Sequence, residues 1–116
     1  YFYEFDRVNS QYFDPFIKPV LEKLDCKKLI KCKINCTFPY QHKIVWGMHT
    51  DVDDADAKTA ILYFSNTNGG TVIGDEIIEC VENRIVYFDA STKHSGISHT
   101  HEDDRTRRIV LNINYI

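Results

Sequence analysis

His49-Thr50-Asp51 closes the apolar run IVWGM. On an extended strand residues i and i+2 point to one face, so this imidazole and carboxylate can converge on a single ion. The pattern is cheap by itself, and His101-Glu102-Asp103 is a second copy. Two ligands from H-x-D and one later histidine would make a two-histidine, one-carboxylate facial triad. Such a triad leaves adjacent positions open on a six-coordinate ion, the coordination of an O2-activating non-haem iron(II) centre. His94, just past the run RIVYF, is the candidate third ligand for the first copy, with His99 as its rival; the second copy has no histidine after it. Arg107-Arg108 then opens the last apolar run, and a planar guanidinium there suits the far carboxylate of a dicarboxylate co-substrate. A hydrolytic zinc site from the same three residues is chemically possible, but it gives the arginine no purpose and needs an added general base.

These residues need elements to hold them. Phe16, Ile17, Val20, Leu21 and Leu24 recur at helical spacing, which predicts one short amphipathic helix over about 12–25, with Asp14-Pro15 as cap and first position and Pro19 as a source of distortion. After it the helical period ends. Short β-like runs follow at 28–37, 43–49, 59–65, 71–73, 77–81, 84–89 and 107–115, an all-β pattern. Asn66-Thr67-Asn68-Gly69-Gly70, Gly74-Asp75 and Glu82-Asn83 supply residues tolerant of positive φ, so the strands are expected to pair as antiparallel hairpins. Two polar loops break the pattern: the acidic stretch from Asp51 to Asp56 and the His-rich stretch from His94 to Asp104.

The chain has 116 residues, 43% of them hydrophobic and 27% charged, with a net charge of −3. That length predicts one domain, 1–116, with any site inside a single layered structure. A mildly acidic chain without a Lys/Arg run argues against a protein that grips nucleic-acid backbone by charge. No run approaches the roughly 18 apolar residues of a membrane span, and no signal-peptide pattern is present, so a soluble cytoplasmic protein is expected. The first residue is Tyr1 rather than Met, which suggests a trimmed or mature piece. Cys26, Cys32, Cys36 and Cys80 have neither C-x-x-C nor zinc-finger spacing; Cys32 and Cys36 lie in phase with Ile30 and Ile34 and are expected as small hydrophobes on one strand face.

The segments HTD (49–51), AILYFSNTNGGT (60–71), ENRIVYFD (82–89), KHSG (93–96) and RRIVLNINY (107–115), in this order, resemble the Fe(II)/2-oxoglutarate-dependent oxygenases. Within them the chain is similar to the small prolyl-4-hydroxylase-like branch that includes phage and marine bacterial members, over about Ile34 to Ile116. The resemblance implies a mainly β fold, a double-stranded β-helix or cupin-like jelly roll over about 28–116 supported by the single N-terminal helix. It implies Fe(II) held by His49, Asp51 and His94, and 2-oxoglutarate held by Tyr63 and one of the two arginines, with Asn35 near the same pocket. O2 would be the oxidant, ascorbate an accessory reductant, and a peptide, peptidyl proline slightly ahead, or a small molecule the substrate. Alternation separates the arginines: Arg108 shares a face with Val110, Asn112 and Asn114, whereas Arg107 shares one with Ile109, Leu111, Ile113 and Tyr115. A wet, ligand-lined interior fits the first face better.

Plainer readings stand beside these. His99 and His101 read as solvent-facing loop residues, Asp53, Asp54 and Asp56 as a solvated loop at the mouth, and Trp46 as core. The spacing of 14 from His94 to Arg108 suggests an inserted loop over 97–106. A cupin-like binding module without catalysis is the alternative to an enzyme.

Overall fold

The computed structural model describes residues 1–100 and 106–116. Its strands are β1 (Tyr3–Glu4), β2 (Arg7–Val8), β3 (Leu29–Thr37), β4 (Lys58–Tyr63), β5 (Gly70–Ile73), β6 (Glu76–Glu79), β7 (Ile85–Asp89), β8 (His94–Ile97) and β9 (Arg108–Tyr115), with the helix α1 (Lys18–Lys23) between β2 and β3. They form a larger sheet in the order β2-β1-β3-β9-β4-β7 and a smaller one in the order β6-β5-β8. Every named pairing is antiparallel.

From β3 onward the chain alternates between the sheets, and this winding makes the fold a jelly roll. β3, β4, β7 and β9 lie in the larger sheet, while β5, β6 and β8 lie in the smaller one. Residues 44–49 run along the free side of β8, where His49 and His94 exchange both backbone bonds, at 3.0 and 2.9 Å, and Trp46 N–H reaches the Gly96 carbonyl. The expected strand over 43–49 is therefore only a set of isolated bridges. Gly47 interrupts the ladder and turns its carbonyl to the His49 imidazole instead.

The hairpin expectation holds only for β5 and β6, which meet at Gly74-Asp75 with Gly74 at φ 56°. Asn66–Gly70 and Glu82-Asn83 do not close hairpins. They carry the chain across from one sheet to the other, with Asn83 at φ 66° and no positive φ in 66–70. The first crossing is pinned by its side chains: Asn68 Nδ2 donates to Thr100 Oγ1 at 2.7 Å, and Asn66 Oδ1 accepts from Glu82 N–H at 2.8 Å. β8 lies inside the stretch read as a loop. Its polar HSGI sequence has no β pattern, and it is a strand because β5 and residues 44–49 bond it on either side. Thr100 is the last described residue before 106, so the copy at 101–103 and half of the proposed insertion over 97–106 lie outside the described residues.

Alternation divides the larger sheet into two packed faces. Ala60, Leu111, Ile113 and Cys32 face outward and take Phe13 and Ile17 of the helical segment. Ile61, Tyr63 and Val110 face inward and pack with Cys80, Ile78, Val86 and Phe88 between the sheets. Leu111 and Ile113 are fully buried, each stabilising the fold by roughly 1.5–3 kcal/mol. The helical segment is shorter and less regular than expected. Phe13–Ile17 form one wide turn closed by Lys18 N–H on the Phe13 carbonyl, and α1 starts afresh with Pro19 in its first turn, where no donor is needed. Asp14 caps nothing and pairs with Lys18 at 2.9 Å.

Cys32 and Cys36 share the outer face of β3 but not its cover: Cys32 is buried under the helix and Cys36 is exposed. Burial pushes the Cys32 thiol up to about 12, so at pH 8 it is neutral and unreactive. Iodoacetamide at pH 8 is expected to alkylate Cys36 in the native protein and to spare Cys32 and Cys80 until denaturant is added. Mass spectrometry of the digested protein checks this, and native labelling of Cys32 would contradict the packing.

Candidate metal centre

Each of the three candidate ligands comes from a different position on the smaller-sheet side of the barrel. His49 ends the 44–49 segment, Asp51 follows in the loop, and His94 begins β8 directly across the ladder from His49. Their ligand atoms all lie within 4.8 Å of one another. Asp51 Oδ1 is 3.4 Å from His49 Nε2 and Oδ2 is 3.4 Å from His94 Nε2. Two atoms so spaced subtend about 110° at an ion lying ~2.1 Å from each, so each pair has the spacing of two ligands on one ion.

The other nitrogen of each ring is already committed. His49 Nδ1–H donates to the Gly47 carbonyl at 2.8 Å, and His94 Nδ1–H donates to the Thr92 carbonyl at 3.2 Å. Both contacts select the tautomer whose Nε2 carries a lone pair, the state a metal requires. Asn112 Nδ2 donates to Asp51 Oδ2 at 3.0 Å and orients the carboxylate. Phe88 packs edge-on against His94 with centroids 5.0 Å apart. The close His94 imidazole and the Asn112 amide, against the effect of burial, hold the Asp51 carboxyl far below the usual carboxylate range. For His94, burial favours the neutral ring, but Asp51 and the Thr92 carbonyl outweigh it and raise its pKa. The buried His94 Nε2 has no hydrogen-bond partner. A buried, lone-pair-bearing nitrogen without a donor beside a carboxylate is what a ligand set looks like before its ion is added, so the residues fit a divalent metal.

The same cavity, of about 440 Å3, runs from these ligands to Arg108 and is also lined by Lys33, Asn35, Thr37, Trp46, Thr71 and Asn112. Arg108 is 7% exposed and projects between the sheets, where its Nη2 donates to the Gly70 carbonyl at 2.8 Å and to Thr71 Oγ1 at 3.3 Å, while its Nε has no partner. Burial lowers its pKa, yet a guanidinium stays cationic at neutral pH. Arg107 turns the other way and stacks on the Phe38 ring at 4.3 Å. Tyr63 is fully buried behind Thr71, with its hydroxyl 2.6 Å from Thr71 Oγ1. Burial is the main reason its pKa is raised, so it is a neutral phenol. Thr71 thus joins the tyrosine to the arginine.

Two sequence expectations are overturned here. Trp46 is not core: it is 43% exposed and lines the cavity, its ring edge-on to Tyr40. It lies on an edge segment with packing on one side only. His99 is not solvent-facing: it is 1% exposed, with Nε2 on the Thr106 carbonyl at 3.1 Å, and it is not part of the three-residue cluster. Asp53, Asp54 and Asp56 are exposed as expected, with Asp54 Oδ1 accepting from Asp56 N–H at 2.9 Å. The roles of Thr71 and Asn112 escaped the sequence, although Asn112 sits on the face shared with Arg108; no local pattern says which side chain a strand residue will meet on another strand.

The chain matches no protein-family model and no curated protein. Among solved structures it is similar to a cupin protein from Bacteroides fragilis, with a TM-score of 0.55 and 14% identity over 83% of this chain and 72% of that one. At that identity the likeness is one of fold, and the fold is the jelly roll described above.

Proposed function

We propose that the cavity is the active site of an Fe(II)- and 2-oxoglutarate-dependent oxygenase that hydroxylates an aliphatic C–H bond. The observation that supports this best is the pairing of two features in one cavity: a two-histidine, one-carboxylate cluster at one end and a buried arginine with an unpartnered Nε at the other. A hydrolytic zinc site would leave that arginine without a task.

In this reading His49, Asp51 and His94 would hold the iron, which would supply O2 activation: 2-oxoglutarate is the two-electron reductant, decarboxylated to succinate and CO2, and O2 is the oxidant, one atom going to succinate and the other to the substrate hydroxyl. The protein contributes position and charge. Gly47 and Thr92 carbonyls keep both imidazoles in the ligating tautomer, and Asn112 fixes the carboxylate. Arg108, oriented by Gly70 and Thr71, receives the distal carboxylate of the co-substrate, and Tyr63 acts on it through Thr71. Low dielectric around the buried guanidinium strengthens that contact. No side chain has to act as a strong base. Peptidyl proline is the first substrate class to try.

Anaerobically purified protein given Fe(II) and 2-oxoglutarate should develop a visible charge-transfer band, and on admitting oxygen should form succinate. A non-catalytic cupin-like module lacks both signals, and their absence ends this reading. Within it, Arg108→Ala should raise the 2-oxoglutarate concentration needed for half-maximal succinate formation at least 10-fold, about 1.4 kcal/mol, while Arg107→Ala stays within 2-fold. The reverse order would reassign the role.

A further inference from the structure

Charge in the cavity does not balance without a further anion. Among the described residues its lining carries one carboxylate, Asp51, and two fixed cations, Arg108 and Lys33. On the oxygenase reading, on which this step rests, a divalent ion and Arg108 are matched in full by Asp51 and dianionic 2-oxoglutarate. Lys33 is left over. Among the described residues it has no ion pair within 4.0 Å, and its ammonium rests 5.6 Å from the centroid of the Tyr1 ring. It is half-buried on β3 and lines the wall of the cavity.

Register gives the direction. Lys33 pairs with Asn112, the residue that holds Asp51, whereas Thr37, at the other end of the same face, pairs with Arg108. Four strand residues separate the two levels, roughly 13 Å. Lys33 therefore lies at the level of the ligand cluster and Arg108 further along the same sheet, so the side near Lys33 is not the one the co-substrate carboxylate would take. Asn35 lies between the two levels and lines the cavity together with Thr37 and Trp46.

We infer that the substrate of this site carries a carboxylate, received by Lys33 at the end of the cavity away from Arg108. Such a contact helps twice: it gives the Lys33 ammonium an ion-pair partner, and it orients the substrate by one fixed end while leaving an aliphatic carbon near the ligands.

Trp46 is the protein's single tryptophan and lines this cavity, so its fluorescence reports occupancy without turnover. The experiment uses Zn(II)-loaded protein saturated with 2-oxoglutarate, titrated with N-acetyl amino acids, including proline, aspartate and glutamate, and with the corresponding α-amides. Some N-acetyl acids should bind at least 10-fold more tightly than their neutral amides. Retention of affinity in the aspartate or glutamate α-amide would assign the carboxylate to a side chain rather than a chain end. Lys33→Met should erase the preference and Lys33→Arg should keep it, with circular dichroism confirming that both are folded. Binding of an amide that retains no carboxylate as tightly as its acid, no binding of any acid, or a preference that survives Lys33→Met would overturn the inference. Failure of the oxygenase reading shows up separately, as a missing charge-transfer band in the Fe(II) protein.

Discussion

Asp51→Ala should cost the protein its divalent metal while leaving the barrel folded. Asp51 is the one anionic member of the cluster, 3.4 Å from both Nε2 atoms. Removing it leaves two neutral imidazoles with no charge to offset the desolvation of a dication. Loss of a group that merely orients a ligand typically weakens metal binding 10- to 100-fold, so loss of the ligand itself should cost roughly 100-fold or more. The fold should tolerate it, because Asp51 lies in a loop and, among the described residues, its one side-chain hydrogen bond outside the cluster, from Asn112, opens onto the cavity, where water can replace it. Isothermal titration calorimetry with Zn(II), beside a thermal melt of the metal-free protein, separates the two effects. Wild-type affinity in Asp51→Ala would sink the assignment of the metal centre.

The second large effect is on stability. A Cβ on residue 70 would overlap the carbonyl oxygen of Ile78 on the paired strand β6, backbone against backbone, with no flexible side chain able to give way. Gly70→Ala should therefore destabilise by about 3 kcal/mol, the upper end of overpacking, which lowers the melting temperature by roughly 12 °C in a chain of this size. Because the Gly70 carbonyl and the neighbouring Thr71 hold the Arg108 guanidinium, on the proposed oxygenase function what folds should also bind 2-oxoglutarate more weakly. Gly47→Ala is the control: nothing lies within 4 Å of the place its methyl group would take, so its melt should move by no more than ~0.5 kcal/mol. Equal melts for the two variants would mean that β5 and β6 are not packed this closely.

Gly69-Gly70 is informative about what local sequence conveys. As a dipeptide it signals a turn, and the hairpin expectation followed from that signal. Neither residue is needed for positive φ, however, and at Gly70 the missing side chain is required by a strand eight residues away in sequence, Ile78 of β6. His99 makes the same point for burial. Nothing in GISHTH marks it as interior, and it is interior because the chain returns at Thr106 to accept its Nε2–H.

Residue types and their order alone supplied the metal-ligand candidates His49, Asp51 and His94, the all-β character after residue 28, and, through alternation along 107–115, the inward face of Arg108. These are properties of neighbours: a two-residue period decides a face whatever the rest of the chain does. The winding of strands between two sheets, the strand character of His94–Ile97, the exposure of Trp46 and the convergence of Thr71, Asn112 and Lys33 on one cavity were decided only by the tertiary structure. Each of these depends on which distant segment supplies the hydrogen-bonding or packing partner, and that choice is made by the burial of the whole barrel rather than by any local pattern.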